Sequence, residues 1–116
     1  MSTVELRGTG LTPADVIAVA RADAPVVLGD EARAAMEASA AVVAGLVASD
    51  VPAYGVSTGF GSLANVVIPA DRREELQRAL VRSHAAGMGP PVEREVVRAM
   101  MLLRARTLAM LSLIHI

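Results

Sequence analysis

The sequence predicts a mainly α-helical protein with one short strand and one ordered loop rich in glycine. Of the 116 residues, 53% are hydrophobic but only 2% are aromatic, so the core must consist of small aliphatic side chains. Apolar residues recur at helical spacing in several segments, and turn-forming residues separate these segments. A core of this kind is marginal in a chain with room for one domain, so we expect it to pack against a partner chain or against a missing remainder of the protein.

Charge and composition argue against several classes of protein. The net charge is −1 with both signs interspersed, which is not typical of a nucleic-acid groove or a polybasic membrane patch. There is no cysteine for a disulfide or a thiolate metal site. The N-terminus lacks a secretory signal, and Arg104 and Arg106 interrupt the apolar C-terminal stretch. We therefore expect a cytoplasmic protein that binds neither nucleic acid nor membrane.

The first helix and the strand are predicted from local signals. Thr12 can cap the helix, Pro13 suits its first position, and Asp15 interacts favourably with the positive end of its dipole. The helix should end near residue 22. The apolar run Val26–Leu28 then predicts the short strand.

Three further helices are predicted, over residues 30–48, from about 70 to 87, and from about 92 onward. Each has an apolar face at helical spacing. The predicted faces are Met36, Ala40, Val43 and Val47 in the second helix, Leu76, Leu80, Ser83 and His84 in the third, and Val96, Met100, Leu103 and Thr107 in the fourth.

Residues 49–69 show no period and are predicted to form an ordered loop. The stretch YGVSTGFG within it holds both aromatic rings of the chain, Tyr54 and Phe60. Its glycine spacing fits neither the dinucleotide fingerprint nor the P-loop. The rings can simply anchor a structural loop. Alternatively, backbone N–H groups of the loop stabilise a phenolate at Tyr54, which can remove a weakly acidic proton from carbon.

His84, in the stretch RSHAAGMG, also has two interpretations. A histidine at a helix C-terminus can interact with the helix dipole. It can equally contact a substrate. Because Ser83 and His84 extend the face of Leu76 and Leu80, we expect them to point inward and to have hydrogen-bond partners.

Two segments resemble a known family. YGVSTGFGSLA, followed by LQRALVRSHAAGMGPPVEREVVRAM, is similar to the N-terminal part of the histidine ammonia-lyases, within the aromatic amino acid ammonia-lyase superfamily. The resemblance runs from about residue 6 to about residue 107. It implies the N-terminal helical part of the ammonia-lyase fold and an enzyme that converts L-histidine to trans-urocanate and ammonia in histidine degradation.

The resemblance also implies roles for individual residues. Tyr54 matches the base that removes the β-proton of the substrate, and Gly61 matches a glycine that lines the pocket. Ser83 and His84 occupy a selectivity position where phenylalanine-type lyases tend to have Phe-Leu and tyrosine-type lyases His-Leu. His84 can hydrogen-bond the substrate imidazole, which favours histidine. The alternatives are a lyase or aminomutase for phenylalanine or tyrosine, and a non-catalytic helical scaffold.

The family resemblance further implies a homotetramer and a methylidene-imidazolone electrophile formed from an Ala-Ser-Gly triplet. The chain has no such triplet, since Ala38-Ser39 is followed by Ala40 and Ala48-Ser49 by Asp50. We therefore expect residues 1–110 to be a truncated N-terminal region of an ammonia-lyase domain, inactive alone and poorly soluble or oligomeric. Residues 111–116 depart from the family, resemble translated sequencing adapter, and are predicted to be non-native.

Overall fold

Residues 2–110, the part that this computed structural model describes, form four α-helices and a two-stranded parallel sheet. The predicted mainly helical class is confirmed. The prediction that residues 111–116 are non-native lies outside the described residues. The regular elements are β1 (Val4–Leu6), α1 (Pro13–Ala22), β2 (Val26–Leu28), α2 (Asp30–Ala48), α3 (Arg73–His84) and α4 (Arg94–Ala109), with 3₁₀ turns at Gly61–Leu63 and Ala70–Arg72.

The N-terminus of α1 confirms the predicted cap. The Thr12 hydroxyl accepts a hydrogen bond from the Asp15 N–H (3.2 Å), and the Asp15 carboxylate accepts one from the Thr12 N–H (2.9 Å). This reciprocal arrangement is a capping box, with Pro13 at the first helical position. The helix ends at Ala22 and is capped by Asp23, whose φ of 54° is left-handed.

The predicted strand at Val26–Leu28 is present as β2, and its partner β1 was not predicted. Val4 pairs with Val26 and Leu6 with Leu28 in parallel register, so α1 forms the crossover between the two strands. A three-residue strand is too short to show a period in sequence. Its partner lies about twenty residues away, so no local signal marks it.

The chain divides into two units, of which the first comprises residues 2–39 and 90–110. Its core lies where α1 and α4 pack together with β1. The buried residues of this cluster are Val4, Leu6, Val19, Ala24 and Leu102.

The buried face of α4 differs from the predicted one. Leu102 and Ala109 are buried, whereas Met100 is 62% exposed and Leu103 is 45% exposed. Thr107 is partly buried, and Val96 is exposed. The predicted apolar face of α4 is therefore not the side that packs within the described residues.

Charged residues explain which side of α4 packs. The Arg98 Nε donates to the Val19 carbonyl oxygen (2.8 Å), and its guanidinium lies 3.1 Å from Asp23. Glu95 accepts a hydrogen bond from Arg21 Nε (2.7 Å). Because α4 is apolar on several sides, its apolar spacing does not single out one face. The part-buried bond from Arg98 to α1 favours the observed side, whereas the exposed pair of Arg21 and Glu95 adds little.

The second unit comprises residues 40–89. Helix α2 begins in the first unit and ends in the second. Its predicted span is confirmed, and Met36, Val43 and Val47 are partly buried along it, but Ala40 is exposed. Helix α3 ends at His84 rather than Gly87. None of the helices in residues 2–110 combines the length and apolar character that crossing a membrane requires.

Candidate active site

The glycine loop, residues 49–69, is closed at its base by Arg73. This side chain is buried, and its guanidinium donates to the carbonyl oxygens of Ile68 (3.0 Å), Ser49 (3.3 Å) and Val47. Val47 belongs to the last turn of α2, where a cation also complements the helix dipole. One side chain at the start of α3 therefore fixes both ends of the loop.

Two buried hydroxyl residues supply the hydrogen bonds that regular structure would otherwise provide. The Ser57 Oγ accepts a hydrogen bond from the Ala53 N–H (2.8 Å), and the Ser57 carbonyl accepts one from Ile68. The Thr58 Oγ1 accepts a hydrogen bond from the Gly55 N–H (3.2 Å). Short hydroxyl side chains commonly satisfy nearby backbone groups in this way. The loop is ordered as predicted, with a bridge from Thr58 to Val67.

Tyr54 and Gly61, both predicted as site residues, contact each other directly. The Gly61 N–H donates to the Tyr54 phenol oxygen at 3.1 Å. Tyr54 is 57% exposed as a residue, and its ring meets the Phe60 ring edge-on, with centroids 5.9 Å apart. The expected backbone N–H contact to the phenol is thus present. Since the oxygen accepts from Gly61, its own proton points elsewhere, and the group is accessible from outside.

Gly55 must be glycine for this arrangement to form. Its φ is +70°, a left-handed value that side chains disfavour, and a Cβ there would lie 2.7 Å from Phe60 Cε1. Gly61 also has a left-handed φ, of +55°. A glycine with a left-handed φ therefore directly follows each of the two aromatic residues.

Ser83 and His84 lie at the end of α3 and are exposed, which corrects the expectation that they point inward. The hydrogen bonds from α3 to the glycine loop come from Arg73 and Gln77, in the first half of the helix. The partly buried apolar face of α3 ends at Leu80. The last turn thus extends past the contacts that bury the helix.

The hydrogen bonds of His84 determine which ring nitrogen is free. Its Nδ1 lies 2.9 Å from the Leu80 carbonyl oxygen and 3.0 Å from Ser83 Oγ, and Ser83 itself donates to Leu80. Because a carbonyl oxygen only accepts, we assign the proton to Nδ1. The Nε2 lone pair is then available to accept a hydrogen bond from a ligand.

The two predicted pairs are joined through α3 rather than directly. Within residues 2–110, no hydrogen bond links Tyr54 or Gly61 to Ser83 or His84. Gln77 holds the residue next to Tyr54, and His84 follows on the same helical face, roughly 10 Å further along the axis. An exposed phenol and a free imidazole lone pair thus share one helix as support. A groove of about 210 Å³ lies beside α3 but is lined by none of these four residues.

Sequence reasoning did not identify Ser57, Thr58, Arg73 or Gln77 as parts of this site. The adjacent hydroxyl residues inside a loop without a period were an available signal for the first two. Nothing local marks the other two. Gln77 donates to the carbonyl of Gly55, and Arg73 donates to those of Val47 and Ser49, all more than twenty residues away in the chain.

Comparisons with known proteins place the chain in a family. Residues 11–110 match the family model described as aromatic amino acid lyase. The chain is 57% identical over 107 residues to the histidine ammonia-lyase of Streptomyces coelicolor, which covers 92% of this chain and 21% of the relative. It is 46% identical over 104 residues to that of Treponema denticola, covering 90% and 20%. The chain thus spans about a fifth of the length of these curated relatives.

Solved structures show the same fold. The tyrosine aminomutase of Streptomyces globisporus superposes with a TM-score of 0.87 at 35% identity, over 94% of this chain and 21% of that one. The histidine ammonia-lyase of Trypanosoma cruzi gives 0.80 at 38% identity, over 93% and 21%. The structure is the N-terminal helical part of the ammonia-lyase fold, and the chain belongs to the aromatic amino acid lyase family.

Proposed function

We propose that this chain contributes to a lyase active site that eliminates ammonia from L-histidine and yields trans-urocanate, a step of histidine degradation. The observation that carries the proposal is the Gly61 N–H bonded to the exposed phenol oxygen of Tyr54. Identities of 46–57% to several enzymes named histidine ammonia-lyase support it. We place the working protein in the cytoplasm as a homotetramer.

Tyr54 acts as the base in this proposal. Its ionised oxygen takes a proton from the β-carbon of the substrate, the C–H electron pair forms the new carbon–carbon double bond, and ammonia leaves with the electrons of the C–N bond. The glycine loop holds the oxygen in place through Gly61. A positioned base of this kind contributes about 10²–10⁴-fold to rate.

His84 and Ser83 select the substrate. The His84 Nε2 lone pair accepts the N–H of the substrate imidazole, while Ser83 and the Leu80 carbonyl hold the His84 ring through Nδ1. A phenyl ring has no N–H to offer. A site built to pair a polar group rejects analogues that lack it more strongly than an apolar pocket does.

The residues of this chain do not fit the electrophile that the family resemblance implies. A methylidene-imidazolone would make the substrate nitrogen a better leaving group, but it is built from Ala-Ser-Gly, and the 116 residues contain no such triplet. Tyr54 and His84 act on the β-proton and the imidazole of the substrate, and neither role requires that group. We accordingly propose that the 116-residue chain alone is inactive.

A chimeric enzyme tests the proposal. Residues 2–110 replace the matching segment of the Streptomyces coelicolor relative, and urocanate and ammonia formation are measured from histidine. We expect turnover in the chimera, and a fall in kcat of about 10²–10⁴-fold when Tyr54→Phe removes the base. The unmodified relative is the positive control. Unchanged turnover in the Tyr54→Phe chimera would refute the role of the phenol.

A second candidate is a lyase or aminomutase for tyrosine or phenylalanine. The TM-score of 0.87 to a tyrosine aminomutase favours it. The same chimera, given each amino acid in turn, separates the candidates, since an aminomutase yields a β-amino acid without net loss of ammonia. Preferential turnover of tyrosine would replace histidine as the proposed substrate.

A further inference from the structure

Gln77 makes a hydrogen bond that has no part in the proposed chemistry. From the second turn of α3, its Nε2 donates to the carbonyl oxygen of Gly55 at 2.6 Å. Gly55 immediately follows Tyr54 in the chain. The hydrogen bond therefore connects the residue after Tyr54 to helix α3.

Both polar main-chain groups of Gly55 make hydrogen bonds. Its carbonyl accepts from Gln77, and its N–H donates to the buried Thr58 Oγ1 (3.2 Å). The Phe60 ring packs so closely over it that a Cβ would overlap. Since Gly55 has φ +70° and intrinsically wide conformational freedom, these contacts are what restrict it.

We propose that Gln77 is a positioning residue that sets where the Tyr54 phenol lies relative to the Gly61 N–H. The catalytic part of this inference rests on the proposed function. Tyr54 is exposed, so packing alone does not fix its ring. With the Gln77 bond broken, the Gly55 peptide can rotate, and the phenol separates from Gly61. A shift of about 1 Å at a reacting group can cost on the order of 100-fold in rate.

The chemistry of the contact explains why a glutamine suits it. A carbonyl oxygen needs a donor, which the carboxamide supplies without a charge. Gln77→Glu keeps the shape but presents a carboxylate that repels the carbonyl, and Gln77→Met keeps the length without a donor. Because Gln77 is exposed, neither change opens a cavity in the core.

Nuclear magnetic resonance on the 116-residue chain tests the contact without any catalysis. The sequence has one glutamine and one asparagine, so the carboxamides of Gln77 and Asn65 are assigned at once. We expect one Gln77 Nε2 proton to be shifted downfield and to exchange with solvent more slowly than those of the exposed Asn65. Two Gln77 protons with the positions and exchange rates of a free peptide would overturn the proposal.

Variants of the same chain test whether the contact positions the phenol. Tyr54→Phe removes the acceptor and displaces the Gly61 N–H resonance, which gives the reference shift. Gln77→Met and Gln77→Glu should displace that resonance in the same direction. Arg78→Met, at the next and strongly exposed position, is the matched control and should leave it in place. A Gly61 resonance unmoved by both Gln77 variants would overturn the proposal.

The kinetic test uses the chimera described above. Gln77→Met should lower kcat by up to about 100-fold with little change in KM. It should also raise the isotope effect with β-deuterated histidine, because proton removal becomes more rate-limiting; a loss of folded enzyme would leave the isotope effect unchanged. A chimera that never converts histidine would refute the proposed function while leaving the resonance result intact. An active chimera with wild-type kcat and isotope effect in Gln77→Met would refute the positioning role.

Discussion

The two units of the chain are stabilised by different kinds of residue. Among residues 2–110, all eight buried hydrophobic residues lie in the first unit, whereas the buried polar residues, Ser57, Thr58 and Arg73, lie in the second. Aliphatic packing is non-directional, but hydrogen bonds fix distances and angles. The unit that carries Tyr54 and His84 is therefore the one whose contacts define the positions of individual atoms.

The largest effect on stability is expected from the aliphatic core of the first unit. Leu102→Ala removes a buried side chain that packs with Val4 and Val19, and should lower the free energy of unfolding by about 3 kcal/mol. Urea denaturation followed by far-ultraviolet circular dichroism measures this change. Leu103→Ala, on the exposed side of α4, is the matched control and should cost much less.

The same pair of variants decides between two faces of α4. Sequence spacing placed Leu103 on the apolar face of α4, whereas the structure buries Leu102. If Leu103→Ala proved as destabilising as Leu102→Ala, the predicted face would be the packed one. The buried cluster around Leu102 would then not be what stabilises the first unit.

A smaller effect is expected from the polar centre of the second unit. Arg73→Met removes the donor to the carbonyl groups of Val47, Ser49 and Ile68, and should destabilise the glycine loop by about 2 kcal/mol. Tyr54 is the only tyrosine and the chain has no tryptophan, so its fluorescence reports on this loop alone.

The neighbouring residue provides the control for Arg73. Arg72→Met removes an exposed arginine that pairs with Glu75, and should leave the fluorescence transition of Tyr54 nearly unchanged, because exposed ion pairs contribute little. Equal sensitivity to the two substitutions would mean that burial of Arg73 does not matter to the loop.

The contrast between the units also explains what the sequence could predict. Helix α1 was predicted with its correct ends because Thr12, Pro13 and Asp15 act within one turn. Strand β1 was missed because its three residues pair with a distant segment. The packed side of α4 differs from the predicted apolar face because the helix is apolar on several sides, and the part-buried bond of Arg98 to the Val19 carbonyl has no local signal in the sequence.

In the second unit, the candidate site residues were visible in the sequence but the residues that hold them in place were not. Tyr54 and Gly61 lie seven residues apart in one motif, and they are hydrogen-bonded. Gln77 donates to the main-chain carbonyl of Gly55. Because every residue has such a carbonyl, the sequence does not indicate which one Gln77 contacts. His84 was expected to be buried because it continues the spacing of the apolar face of α3. It is exposed because the glycine loop contacts only the first half of the helix.

The smallest effect is expected from an exposed carboxylate at the end of α1. Arg94 donates a hydrogen bond to Asp23, and this contact, together with the charges of Arg94 and Arg98, holds the pKa of Asp23 below its ordinary value. The folded state therefore favours the ionised form. Stability from this group is present above its unfolded pKa of about 3.9 and is lost as the pH falls through the lower folded value.

Asp23→Asn should remove this part of the pH dependence and nothing else. Asparagine tolerates the left-handed backbone at φ 54° as well as aspartate does, so the substitution isolates the charge. Thermal melting across acidic pH should show the wild type more stable at neutral pH and the two proteins converging below about pH 4. The pKa of Asp15 is also lowered, by its contacts with Thr12, but it is common to both proteins and cancels in the difference. Melting curves that stay a constant distance apart over this range would show that Asp23 stabilises α1 through its shape rather than its charge.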